Sequence, residues 1–367
     1  MREGWEYICF ESCLNKIPKA KQVKTKEYNS GTKYPIISQE DKLISGYCDD
    51  ESMLFHVDKP VIIFGDHTRV LKYIDFDFVV GADGVKIISP KENLNAKFLL
   101  YFLTWYNIPN LGYSRHYKLL KELDIPVPPL STQLSIVSEL DKINELIRLK
   151  KEQLRDYDKL AQSILYEMFG DPVVNEKGWD FKKIGEIGTV ERGAGISKKD
   201  FVEDGLPCIH YGQLHTILGP TTRHHHSCIP ESLLPKYKIA HTNDVIMAIT
   251  SEDVEGSCKS TAWLGNYDIV IGSDAAILHH EQDGTFLSYY TMTKAFFNEK
   301  SKYAKGFKVT HISAKEIENI PVYLPPLALQ KDFAKIIEVI EHQKENIKST
   351  IADLETLLAS RMQYWFD

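Results

Sequence analysis

The stretch from Pro128 to Phe169 occurs twice in this chain, and that repetition constrains the fold more than any other feature. The first copy opens Pro128-Pro129-Leu130, has Gln133, and then spaces apolar residues by fours and threes: Ile136, Leu140, Ile143, Ile147, Leu154, Tyr157, Ala161, Ile164 and Met168, with Lys150 in the series. The second copy opens Pro325-Pro326-Leu327, has Gln330, and continues Phe333, Ile337, Ile340, Ile347, Ile351, Leu354, Leu358 and Trp365, with Lys344 and Arg361 in the series. An apolar period near 3.5 residues, held for about five heptads with no Pro or Gly inside, is a coiled-coil pattern. Each helix would be roughly 55 Å long at 1.5 Å per residue. Taken alone, such a seam is most often a structural or oligomerisation device, and it names no function.

The blocks between the helices repeat too. Gly4-Trp5-Glu6-Tyr7 answers to Gly178-Trp179-Asp180-Phe181, Tyr34-Pro35-Ile36-Ile37 to Leu206-Pro207-Cys208-Ile209, and Val61-Ile62-Ile63-Phe64 to Val245-Ile246-Met247-Ala248. Val79-Val80-Gly81-Ala82-Asp83 answers to Val270-Ile271-Gly272-Ser273-Asp274, and Ile125-Pro126-Val127 to Ile320-Pro321-Val322. Between Pro35/Pro207 and Gly81/Gly272 the offset rises from 172 to 191, a net insertion of 19 residues (191 − 172) in the second block. The variable part is 211–266, set in a shared frame, as binding loops usually are. Short β-branched runs at 61–64, 78–80, 245–249 and 268–271 predict strands, and 98–106 and 287–297 predict helices. The turn-rich segment 170–178 predicts a linker. The fold class is α+β, a mixed globule repeated.

Length and composition agree. A chain of 367 residues, 43% apolar and 11% aromatic, predicts two or three globular domains. No run approaches the ~18 apolar residues of a membrane span, and Met1-Arg2-Glu3-Gly4-Trp5 does not read as a signal peptide, so a cytoplasmic protein without a membrane partner is expected. Cys9, Cys13, Cys48, Cys208, Cys228 and Cys258 have no zinc spacing, which predicts reduced thiols. The net charge of −7 argues against a nucleic-acid partner, whereas the run Lys16, Lys19, Lys21, Lys24, Lys26, Lys33 contains one acid, Glu27. Such a run is equally a solvated face.

Few residues suggest chemistry. His224-His225-His226 has no spaced acid or cysteine partner and reads as a polar loop, so no metal is expected. Arg192-Gly193-Ala194-Gly195 running into Lys198-Lys199 lacks the Walker spacing. Asp66-His67 and Ser251-Glu252-Asp253 lack a matched nucleophile, and no cofactor fingerprint or Asn/Asp-Pro-Pro-aromatic methyltransferase motif is present. The chain reads as a binder with no catalytic residues and no cofactor of its own. Candidate phosphate contacts are Lys24, Lys26, Arg69, Arg115 and Lys118 in the first block and Arg192, Lys198, Lys199, Lys305 and Lys308 in the second. Candidate base-edge contacts are Tyr28, His67, Tyr113, His116, Tyr211, Gln213, Arg223 and His311.

The duplication, the Gly-Trp block starts, the Ile-Pro-Val approach to Pro-Pro-Leu-x-x-Gln, the helix end Leu165-Tyr166-Glu167-Met168-Phe169-Gly170-Asp171, and Gly306-Phe307-Lys308-Val309-Thr310-His311-Ile312-Ser313 together resemble the specificity subunits of type I restriction-modification enzymes. The resemblance implies two tandem target-recognition domains at 1–127 and 171–324, and spacer helices at 128–170 and 325–367 that form an antiparallel coiled coil with internal pseudo-two-fold symmetry. It further implies a bipartite site on double-stranded DNA, read one half per domain, with the helices setting the gap. The implied partners are two methyltransferase subunits carrying S-adenosylmethionine and a restriction/translocase subunit using ATP and Mg. Left open are the specificity subunit of a related type II enzyme, a coiled-coil scaffold, and a self-sufficient methyltransferase.

Overall fold

The computed structural model describes residues 4–18, 20–232, 237–306 and 309–367. The chain divides into two compact units, Met1–Glu152 with Lys348–Asp367, and Gln153–Ile347. The long helices Leu130–Phe169 and Leu327–Phe366, 40 residues each, therefore contribute one part to each unit.

Both helices begin directly after a pair of prolines, a position that suits proline because the first N–H groups of a helix have no intrahelical partner to lose. The repeated glutamine fastens each start. Gln133, fully buried, donates through Nε2 to Pro128 O (2.7 Å) and Asn93 O (2.9 Å), while its Oε1 accepts from Asn95 N (2.7 Å). Gln330, also fully buried, donates to Pro325 O (2.8 Å) and Gln282 Oε1 (2.9 Å), and accepts from Asp283 N (3.0 Å). Asn95 and Asp283 are themselves the N-caps of the helices Ala96–Tyr106 and Gly284–Tyr290. One side chain in each unit thus ties the start of a long helix to a shorter one. Gln133→Ala or Gln330→Ala leaves buried donors and acceptors unpaired and is expected to cost about 1–3 kcal/mol, measurable as a lower denaturation midpoint of the affected unit.

The first helix stops at Gly170, whose φ of +77° suits glycine and whose N–H donates to Tyr166 O (2.8 Å). Lys177 Nζ then caps the carbonyls of Glu167 (2.9 Å) and Met168 (2.8 Å), and Trp179 Nε1 caps that of Phe169 (2.9 Å). The 170–178 linker is in this way a built helix cap as well as a turn.

In the first unit a four-stranded sheet runs in the order Gly46–Cys48, Tyr34–Ile37, Phe78–Val80, Leu54–Phe55, beside a three-stranded one of Leu71–Ile74, Val61–Gly65 and Val85–Ile88. In the second unit the corresponding sheets have four strands (Ser227–Ile229, Leu206–Ile209, Ile269–Ile271, Lys238–Ala240) and five (Gly188–Arg192, Ala275–His280, Val245–Ala248, Ser260–Trp263, Thr221–Thr222). The duplication is visible in register: Ile36 pairs in parallel with Val79 and Ile37 with Val80, as Cys208 does with Val270 and Ile209 with Ile271. The mixed α/β reading therefore describes each unit. The predicted helix 287–297 is instead two, Gly284–Tyr290 and Lys294–Lys300, because Thr293 accepts Phe296 N through its side chain and starts a new N-cap.

Along the long helices Ile136, Leu140, Ile143, Ile147, Phe333, Ile337, Ile340, Ile347 and Ile351 are buried, while Leu154, Ile164, Leu354 and Leu358 are half-buried. In the last turns burial moves one residue on, to Leu165 and Phe169 in the first helix and Met362 and Phe366 in the second. A straight helix drifts about 20° per heptad against a 3.5-residue repeat, so four or five heptads accumulate nearly the ~100° between neighbouring residues. Phe169 packs on Phe286 (centroids 4.9 Å) and Phe333 (5.5 Å) in the second unit, and Phe366 on Phe98 (5.5 Å) and Phe102 (5.7 Å) in the first. Within the first unit Arg361 and Trp365 Nε1 (3.0 Å) both donate to Glu139, and Lys151 pairs with Glu355 (2.8 Å). Within the second, the buried Lys344 joins Asp158 (2.7 Å) and Glu341 (2.8 Å).

Candidate nucleic-acid interface

In the first unit the candidate residues gather where strands Tyr34–Ile37, Val61–Gly65 and Phe78–Val80 end. Gln39 is the hub. Its Oε1 accepts His67 N (3.2 Å), its carbonyl accepts Thr68 Oγ1 (2.6 Å), and its Nε2 donates to Asp83 O (3.1 Å). The next turn holds Arg69 at φ +63°, a conformation non-glycine residues seldom adopt, with its guanidinium donating to Ile108 O (2.8 Å).

His116 is fully buried, which corrects its reading as a base contact. Its Nε2 accepts Leu111 N (2.9 Å), so Nδ1 carries the proton and donates to Asp66 O (2.9 Å). Asp66 Oδ1 in turn accepts Tyr117 N (2.8 Å). This knot fastens the loop bearing Tyr113 and Arg115, both exposed, to the turn bearing His67 and Arg69. Lys118 is exposed on the following helix, Tyr117–Lys121. Tyr28 accepts Ala82 N through its hydroxyl (2.9 Å), and Val23 N donates to Val80 O (3.0 Å), so the turn carrying the exposed Lys24 and Lys26 joins the same strand ends.

The second unit brings the equivalent segments together around a cleft of about 780 Å³. One wall is the short helix Tyr211–Thr216, which begins the inserted region, and the other is 250–259. Lys198, Tyr211 and Gln213 line it. His215 donates Nε2–H to Thr250 O (3.0 Å), and Lys259 Nζ donates to His215 O (3.1 Å), so the two walls are tied. Burial and the nearby Lys198 hold the His210 pKa below the ordinary imidazole value, and its Nδ1 accepts Gly212 N (3.1 Å). Arg192 and His311, far apart in sequence, meet through two intermediates. Asp274 Oδ1 faces Arg192 (3.5 Å) and accepts Thr250 Oγ1 (3.3 Å), which contacts His311 Nδ1 (3.2 Å).

Other candidates lie elsewhere. Arg223 pairs with Glu338 on the second long helix (2.6 Å). Lys305 pairs with Glu316 (2.6 Å), whose carboxyl is pulled down to about 2 by that lysine and by the Ser313 hydrogen bonds. Lys199 is exposed, and Lys308 lies outside the described residues, as do Lys19 and Phe307. His225 bonds Tyr267 OH (2.7 Å), and among the described residues no group of three or more His, Cys, Asp or Glu side chains is placed to hold a metal. Gln39, Thr250 and Asp274 sit at the centre of these candidate clusters and are not among the contacts expected from the sequence. Repetition of Gly-x-Asp at Asp83 and Asp274 was the available signal.

Two copies of one mixed α/β unit, each presenting polar and basic loops at the same strand ends and each tied to long helices, define a duplicated recognition protein. The family model described as type I restriction modification DNA specificity domain matches residues 2–156 and 176–356, and the chain belongs to that family. It is similar to the EcoR124I/EcoR124II specificity subunit of Escherichia coli, 24% identical over 369 residues that cover 94% of this chain and 88% of the relative. It is also similar to the MjaVIII specificity subunit of Methanocaldococcus jannaschii, 24% identical over 272 residues covering 66% of this chain and 62% of that relative. The crystal structure of a type I restriction-modification S subunit from M. genitalium shares the fold with a TM-score of 0.59 and 16% identity, over 99% of this chain and 96% of that one. No helix among the described residues is long and apolar enough to cross a membrane.

Proposed function

We propose that this chain is the non-catalytic subunit that gives a type I restriction-modification complex its DNA sequence, each unit reading one half of a bipartite, asymmetric site. The observation that carries this is the convergence of the same segments at the same strand ends in both units, with different side chains: Gln39, His67, Arg69 and Tyr113 in one, Lys198, Tyr211, Thr250 and His311 in the other. Unlike chemistry on a repeated frame reads unlike half-sites. The two long helices pair antiparallel and set the gap, a reading supported by Lys344 with Asp158 and by Arg361 with Glu139. Half-sites about one helical turn apart, ~34 Å, suit a spacer of that length. The domains are 1–127 and 171–324, with spacers at 128–170 and 325–367. Two methyltransferase subunits bring S-adenosylmethionine, and a restriction/translocase subunit brings ATP and Mg. With a net charge of −7 the chain binds DNA weakly without these partners.

The test is a methylome. Co-expressed with its methyltransferase subunit in an unmethylated host, the chain is expected to direct adenine methylation to a two-part motif that disappears without it. Exchanging 211–266 for the corresponding segment of a relative is expected to change one half-site and leave the other, which assigns that half to the second unit. An assembled complex that marks no such motif would instead favour a protein-binding scaffold.

A further inference from the structure

Lysine is rarely buried without a carboxylate partner, yet each unit buries one whose hydrogen bonds go to backbone carbonyls. Lys72, on the strand Leu71–Ile74 and 6% exposed, donates to Ser38 O (2.9 Å) and Lys42 O (2.5 Å). Lys300, the last residue of the helix Lys294–Lys300 and 4% exposed, donates to Glu255 O (2.8 Å) and Ser257 O, with its Nζ 5.5 Å from the centre of the Phe297 ring. One lysine is on a strand and the other ends a helix. They are not counterparts in the duplication, so the two units reach the same construction by different routes.

What each lysine grips is a segment of the candidate interface. Ser38 to Lys42 contains Gln39, the hub that meets His67, Thr68 and Asp83. Glu255 to Ser257 belongs to the cleft wall formed by 250–259, where a side chain on Gly256 would lie 2.2 Å from Ser251 Oγ, and where Cys258 holds a φ of +55°. Both segments carry acids close to the lysine: Glu40 and Asp41 in one, Asp253 and Glu255 in the other. Burial lowers the pKa of both ammonium groups, and these acids oppose that lowering. Beside a polyanion, acidic loops are repelled. A grip on their backbone from within the unit keeps them in place without using their carboxylates, of which Asp253 also accepts Gly256 N (2.7 Å) within its own turn.

We propose that Lys72 and Lys300 are positioning residues for base reading, each pinning the backbone of its unit's recognition segment so that the segment's polar side chains meet base edges in one conformation. This rests on the DNA-reading function proposed above. Carboxylates held in this way accept hydrogen bonds from the amino groups of cytosine or adenine, which is a use for acids on a surface that faces phosphates.

The experiment is the methylome of the full chain with its methyltransferase subunit, comparing wild type with Lys72→Met, Lys300→Met, Lys72→Arg and Lys300→Arg. Methionine keeps the length and loses the donors, whereas arginine keeps several donors and the charge. Lys300→Met is expected to relax the second unit's half-site, with methylation of sites differing there by one base rising about tenfold or more and the first unit's half-site unchanged. Lys72→Met is expected to do the reverse, and each arginine variant to restore part of the discrimination. Half-site letters unmoved by both methionine variants would overturn the inference while leaving the DNA-reading function intact, whereas a wild-type chain that marks no motif would refute that function itself. Hydrogen exchange on the full-length variants covers a failure to assemble. Faster exchange confined to 38–42 or 255–257 agrees with positioning, and a rise throughout the unit overturns it in favour of a general core role.

Discussion

Phe169→Ala is expected to destabilise the second unit by about 3–5 kcal/mol, the usual cost of emptying a fully buried phenylalanine site. Phe169 is wholly enclosed, edge-on to Phe286 and Phe333, and its carbonyl is capped by Trp179. Phe366→Ala is the matching change in the first unit, where Phe366 is 8% exposed against Phe98, Phe102 and Trp105. The slightly greater exposure predicts the smaller loss of the two. Each variant should open one unit only, and the unit opened is the one that the residue's position in the duplicated sequence would not suggest. Segment-resolved hydrogen exchange in moderate denaturant checks this directly. A rise in exchange spread evenly over both units in either variant would contradict it.

The second large effect is expected from Ile147→Asp together with Ile347→Asp. Both isoleucines are 6–7% exposed on the buried faces of the long helices. An aspartate there is either ionised without a partner or neutralised at the cost of a raised pKa, and an uncompensated buried charge costs about 3–5 kcal/mol at each site. Ile147 belongs to the first unit and Ile347 to the second, so both should weaken. The denaturation midpoint of the full chain should fall, and the two-part methylation motif should vanish with it. An unchanged midpoint with an unchanged motif would remove the seam from any role in holding the helices.

Much of this organisation is legible in the residues, because it is local or repeated. The proline pairs at 128–129 and 325–326, Gln133 and Gln330, and the Gly170 stop fix the long helices within a residue or two. The inward face near the helix ends is less legible, because a 3.5-residue template carries on to Ile164 and Met168 while a straight helix turns Leu165 and Phe169 inward. The split at Thr293 is decided by one side-chain cap competing with helix continuation. At the candidate interface, exposed basic residues are legible as types. Which of them are held by acids, as Arg223 is by Glu338 and Lys305 by Glu316, depends on contacts 115 and 11 residues away in sequence. Nothing in the sequence around Lys72 and Lys300 marks them for burial. Their burial exists only because distant carbonyls converge on them, and no local pattern encodes that.

The division of the chain also bears on how it is made. The first unit includes Lys348–Asp367, so its apolar cluster stays incomplete while the whole of Gln153–Ile347 is being synthesised. At ~5–20 residues per second that interval lasts roughly 10–40 s. Throughout it, the surface of Phe98, Phe102 and Trp105 that later receives Phe366 is open to water and to other nascent chains. The second unit, assembled from one continuous segment, meets no such wait. Folding should therefore be completed back to front, with the later-encoded unit finished first and the earlier one closed by the last residues of Leu327–Phe366.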